Sequence, residues 1–226
     1  MSMHLSRSAR VRVLPFVAFM LFLALRGYAP ADGSWGIDPR WIYGIGIAVV
    51  AGLLFAWRSE YGELFRQNAP DLRELLWAVV VGLLVFVLWI QLDADWMTIG
   101  EATAAFVPLD KAGAIDWPLV AVRWIGAALV VPVMEELFWR SFLLRWIQQP
   151  LFEAVDPRRV GPRALIVCTF LFVLAHTLWL AAALAGLAYA LLYMRSGKLW
   201  LPVIAHAVTN GALGIWVVAG RHWQFW

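Results

Sequence analysis

The sequence predicts an all-α fold: a polytopic transmembrane helical bundle of about seven spans, N-terminus in and C-terminus out. Three observations predict it. The 226 residues are 63% hydrophobic and only 15% charged, with mean hydropathy +0.75. A soluble domain of this length has too little interior to hide so much apolar side chain. The apolar residues come in long runs near the ~20 residues a helix needs to cross hydrocarbon. The loops between those runs alternate between basic and acidic, as membrane topology demands.

Each span is bounded by its charges. The first covers 11–27, after Arg7, Arg10 and Arg12. Its basic start and Ala29-Pro30-Ala31 also fit a signal peptide, but Arg26 interrupts the cleavage region. The second covers 40–57 and the third 73–91, with Arg58, Arg66 and Arg73 between them. Residues 93–117 carry Asp93, Asp95, Glu101, Asp110 and Asp116 against one Lys111 and form an extracytoplasmic loop or a weakly amphipathic surface segment. The fourth run, 118–148, is too long for one simple span; Pro132 removes a backbone donor and predicts a kink. Arg145, Arg158, Arg159 and Arg163 form the next basic loop. Spans 163–178 and 180–195 read as a tight helical hairpin, and 200–219 closes the bundle after Arg195 and Lys198. Basic loops stay cytoplasmic, which sets the orientation; Arg26, Arg40 and Arg221 dissent.

The rest of the composition points away from other classes. The +3 charge sits at the ends of apolar runs, a topology signal and not a nucleic-acid surface. Cys168 is alone, so no intramolecular disulfide forms. Many of the fifteen tryptophans flank the runs as interfacial anchors. There is one membrane domain: 1–92 as N-terminal helices without motifs, 93–117 as the loop, and 118–219 as the motif-bearing core. The lipid bilayer is the partner that this composition implies.

Ionisable residues inside a membrane are functional candidates by default. Here they fall in three motifs: Glu135-Glu136-Leu137-Phe138-Trp139-Arg140, Phe172-Val173-Leu174-Ala175-His176, and His206-Ala207-Val208-Thr209-Asn210. Glu136 and Arg140 are i and i+4, so they share a face and predict an ion pair. Glu135 points about 100° away and remains the free carboxylate. His206 and Asn210 are also one turn apart. At a rise of about 1.5 Å per residue, Glu135 lies about 20 Å from residue 148, and His176 about 20 Å from residue 163. His206 and Asn210 lie about 9 and 15 Å from residue 200. One membrane histidine alone is more often a helix contact than a catalyst. Four polar residues on three helices at one depth are poorly explained by packing. His4 and His222 are terminal, and Asp32, Asp38, Asp93 and Asp95 read as solvated loop residues.

The ordered set EExxxR, FxxxH, HxxxN resembles the CAAX-protease and bacteriocin-processing (CPBP, or Abi) family over about residues 117–219. The stretch 131–140 is further similar to a bacterial CAAX-prenyl-protease-related subgroup associated with exosortase systems. The resemblance implies an intramembrane endopeptidase in a bacterial cytoplasmic (inner) membrane, acting on a membrane-associated protein or peptide. Carried over, Glu135 and His176 activate the attacking water. His206 and Asn210 stabilise the oxyanion. Glu136, Arg140 and Phe172 support them. Burial raises the basicity of such a carboxylate, and donors aimed at the oxyanion lower the barrier by about 3–4 kcal/mol each. Glu135, His176 and His206 also make a three-ligand Zn2+ set with one open position. There is no HExxH, so the site is not zincin-like. The same residues satisfy a metal-free glutamate mechanism. Two other readings use the same buried groups: a non-catalytic immunity or assembly factor, and a small transporter or proton relay, which the absence of related halves disfavours.

Overall fold

The computed structural model describes residues 6–30, 33–99 and 105–226; His4, Asp32, Ala31 and Glu101 lie outside the described residues. The fold is all helical. Among the described residues seven apolar helices stand where seven spans were read: α1 (Arg7–Tyr28), α2 (Arg40–Ala56), α3 (Leu72–Gln91), α4 (Trp117–Gln148), α5 (Pro162–Leu174), α6 (Trp179–Ser196) and α7 (Trp200–Gly220). Five of them are long and apolar enough to cross a membrane, whereas α2 and α5 are shorter.

Local chemistry sets the helix ends. Ser6 caps α1 by accepting from the Ala9 amide. Asp71 and Glu74 form a reciprocal capping box at α3, which satisfies two otherwise orphaned amides. Gly197, at φ 73°, closes α6 in the left-handed conformation that only glycine adopts freely.

The central helix is α4, which touches α1, α2, α5 and α7. It is not uniformly α: Gly126–Val130 and Leu137–Leu144 are π-helical. The sequence predicts a kink at Pro132; in the structure the helix widens into π-turns on both sides of it. The cause is visible in the hydrogen bonds. The Val131 amide donates to the Gly126 carbonyl, an i→i−5 bond. In that register the Ala127 carbonyl awaits the amide of residue 132, and proline has none. The Asn210 side chain fills the gap, donating from Nδ2 to the Ala127 oxygen at 2.8 Å. Thus α4 and α7 are joined at the point where α4 loses a backbone donor.

The largest helix interface joins α3 and α7. Gly82 makes it close: a Cβ there would collide with the Ala205 carbonyl and the Val208 side chain. Thr209 donates to the Gly82 or Ala205 carbonyl, at 2.8 and 3.0 Å.

Several charged residues differ from their sequence reading. Arg12 and Arg145 were read as flanks of basic loops, but both are buried. They converge on Glu63: Arg12 Nη2 donates to Oε2 at 2.7 Å, and Arg145 lies 3.6 Å from Oε1. Ser141 binds the same carboxylate. Neutralisation by two guanidinium groups is what permits this burial. Asp38 was read as solvated but pairs with Arg40 at 2.6 Å. Arg40, whose charge dissented from the topology, also donates to the carbonyls of Val107 and Leu109 and so anchors that loop. His222 stacks on Trp216 at 4.0 Å. The described part of 93–117 is not an amphipathic helix. It holds a short 3-10 turn, Asp95–Met97, and a tight turn at Asp110–Gly113 closed by a bridge between Leu109 and Ile115, and its Phe106 is fully buried.

Candidate active site

Four elements supply the site: α4, the turn after α5, α6 and α7. On α4, Glu135 and Glu136 are adjacent and buried. Their side chains diverge by about 100°, and their surroundings diverge accordingly. Glu136 is fully enclosed. Its Oε2 faces Arg140 Nε at 3.2 Å, as the i,i+4 spacing predicts. Its Oε1 also meets His206 Nδ1 at 3.0 Å. Helix spacing predicts one partner for Glu136; it has two, and the second ties α4 to α7. Among the described residues Glu135 Oε2 has no hydrogen-bond partner.

Arg140 is the hub of this layer. It is 1% exposed and packs its guanidinium over the Phe172 ring at 4.7 Å, with Tyr189 at 5.7 Å. Its Nη2 reaches the Gly186 carbonyl at 3.3 Å. Phe172, the first residue of the second motif, is therefore the platform under the cation. It has a second task. Its carbonyl takes His176 Nδ1 at 2.7 Å, and its ring lies 4.3 Å from the imidazole. A carbonyl only accepts, so Nδ1 carries the proton and Nε2 presents a lone pair.

His176 departs from its predicted setting. The sequence placed it inside a span over 163–178, but α5 ends at Leu174 and His176 stands on the turn into α6. That turn is pinned from outside: the Ile99 amide donates to the Thr177 carbonyl, and Trp179 Nε1 donates to the Trp96 carbonyl. Trp89 of α3 packs edge-on to the imidazole at 5.8 Å. Glu135, His206 and Arg140 all lie close enough to act electrostatically on His176.

His206 is sandwiched between Glu136 and the Tyr189 ring, which stacks on it at 5.1 Å. The Tyr189 hydroxyl donates to Thr209 at 2.7 Å and so fixes the ring. Sequence reasoning missed Tyr189 and Thr209. Tyr189 lies in an apolar run without a motif, and Thr209 reads as filler between His206 and Asn210. Asn210 is one turn beyond His206, with one amide N–H spent on Ala127.

The structure thus gathers Glu135, Glu136, Arg140, Phe172, His176 and His206 into one layer, with Asn210 a turn away and engaged to α4. It does not assemble the expected zinc set. Among the described residues no group of three His, Cys, Asp or Glu side chains is placed to hold a metal ion. His206 Nδ1 is held by Glu136, and His176 Nδ1 by a carbonyl. What the arrangement offers is a buried carboxylate beside an imidazole lone pair, with a second imidazole oriented by another carboxylate.

Residues 117–212 match the protein family described as type II CAAX prenyl endopeptidase Rce1-like. This agrees with the likeness read from the three motifs, all of which lie inside the matched stretch. No curated protein and no solved structure matches the chain.

Proposed function

We propose that this integral membrane protein, whose residues 117–212 carry the Rce1-like match, is an intramembrane endopeptidase that hydrolyses a peptide bond in a membrane-associated protein or peptide. One observation carries the reading. Glu135 leaves a buried carboxylate oxygen without a partner beside His176, whose tautomer is fixed with Nε2 free. A group that costs stability when left unpaired is retained where chemistry needs it.

In this mechanism Glu135 and His176 Nε2 hold a water and draw a proton from it as its oxygen attacks the scissile carbonyl. The developing oxyanion is met by His206 and by the second N–H of Asn210. As an imidazolium, His206 donates Nδ1–H to Glu136 and Nε2–H to the oxyanion. The proton taken by Glu135 passes to the leaving amine, and the peptide bond breaks. Glu136, Arg140 and Phe172 hold the layer together.

The helices are read as seven spans with the basic loops cytoplasmic. The narrower likeness of 131–140 suits a bacterial inner membrane and a substrate that is not defined by prenylation. The test compares the membrane proteomes of wild-type and Glu135→Gln cells. Uncleaved precursors should accumulate in the variant. An unchanged proteome and phenotype would remove proteolysis as the function.

A further inference from the structure

A cavity lies on the side of α4 away from Glu135. It has a volume of ≈ 790 Å³ and opens between α2, α4, the start of α7 and the turns that join α2 to α3. Leu54 and Phe55 of α2 face Val130 and Val133 of α4, with Trp200 of α7 beside them. Val133 and Glu135 are two residues apart, about 200° around the helix. The cleft is therefore behind the catalytic face and separate from it.

Its walls are apolar, but its lining also includes Arg58, Ser59 and Arg66 from the connecting turns. The acids of that connection are used elsewhere: Glu60 pairs with Arg7 at 2.8 Å, and Glu63 with Arg12 at 2.7 Å. Among the described residues no acidic side chain lines the cleft. Arg58 lies over the Phe55 ring at 4.3 Å and donates to the Phe55 carbonyl. Among the described residues neither Arg58 nor Arg66 has an ion pair. The cleft thus joins a hydrocarbon-lined groove to two cations at one end.

We infer that this cleft binds an anionic membrane phospholipid, with an acyl chain in the groove and the headgroup phosphate on Arg58 and Arg66. A zwitterionic headgroup would set its amine beside two guanidinium groups with no acid to receive it. A soluble phosphate would leave the apolar walls unfilled. Only a molecule with both parts satisfies both ends. The occupant also packs against α4 two residues before Glu135, so it stiffens the helix that carries the reactive carboxylate.

The experiment uses the full chain, delipidated in neutral detergent and then exposed to vesicles of phosphatidylglycerol or phosphatidylcholine with identical chains. Retained lipid is counted by native mass spectrometry. Phosphatidylglycerol should be retained in preference. Arg58→Gln and Arg66→Gln should each lower its retention about fivefold. Val130→Trp, which fills the groove, should lower retention of both lipids. Glycerol phosphate, which lacks chains, should not displace the bound lipid. Circular dichroism confirms that each variant is folded, and the arginine variants keep the test open if Val130→Trp is not. Equal retention of the two lipids, or retention unmoved by the arginine variants, overturns the assignment. Displacement by the apolar segment of a cleaved substrate also overturns it, by making the cleft a substrate groove.

Discussion

Glu135 and Glu136 are neighbours in sequence with opposite relations to stability. Glu136 holds a buried Arg140 and a buried His206. Glu136→Ala leaves Arg140 uncompensated at 1% exposure, so unfolding should become easier by about 3–5 kcal/mol, the usual cost of breaking a buried pair. Glu135 Oε2 holds no partner among the described residues. Glu135→Gln should therefore leave thermal stability unchanged or raise it while abolishing cleavage, the exchange expected of a functional residue. Melting of both variants in detergent, read beside a cleavage assay, checks the contrast. A large loss of stability in Glu135→Gln would return that carboxylate to a structural role. The Glu136–Arg140 pair was legible because helix periodicity places it. The bond from Glu136 to His206 was not, because it joins residues 70 apart in the chain. No local pattern reports such a contact. The Phe172 carbonyl on His176 was half legible: the spacing FxxxH was seen, but not the bond that spacing serves.

At the scale of elements, α4 and α7 are held by a repair. Pro132 withholds an amide, and Asn210 supplies the missing donor to Ala127. Asn210→Ala should cost about 1 kcal/mol by leaving a half-buried carbonyl unsatisfied. Pro132→Ala in that background restores a backbone N–H and should recover part of the loss, a coupling that a double-mutant cycle measures. Activity separates the two roles of Asn210: if it also meets the oxyanion, the double variant regains stability but not cleavage. The α3–α7 interface gives a second case. Gly82→Ala would push a Cβ into the Ala205 carbonyl, next to His206. We expect about 1–3 kcal/mol of destabilisation and a drop in cleavage from the shifted imidazole. The helices themselves were legible because hydropathy and loop charge mark where lipid ends. The end of α5 was not. Apolar residues run on through Leu174, Ala175 and Leu178 with no glycine or proline to mark a turn. The break comes with contacts made from a distance, the Ile99 amide on Thr177 and Trp179 on Trp96.

The molecule as a whole is drawn together at one end by Glu63. Its carboxylate joins Arg12 of α1, Ser141 and Arg145 of α4, and the turns between α2 and α3. The sequence placed Arg12 and Arg145 in or beside basic loops and singled out no role for Glu63, because a membrane-surface arginine and a buried one look alike in a charge count. Only the meeting of three distant segments tells them apart. Burial alone would raise the Glu63 pKa, but hydrogen bonds and charge from Arg12, with help from Ser141, hold it below the ordinary value of 4.5. A group whose folded pKa is depressed stabilises the fold above its unfolded pKa. That contribution is lost as pH falls through the folded value. The cluster should therefore be intact at neutral pH, begin to weaken below about pH 4.5, and fail further into acid. Melting temperature followed from neutral pH into acid should fall along this limb in the wild type. Glu63→Gln should start lower, with Arg12 and Arg145 left unpaired, and should show a flatter acid limb. A Glu63→Gln curve parallel to the wild type throughout would assign the acid sensitivity to other carboxylates and reduce this cluster to a packing contact.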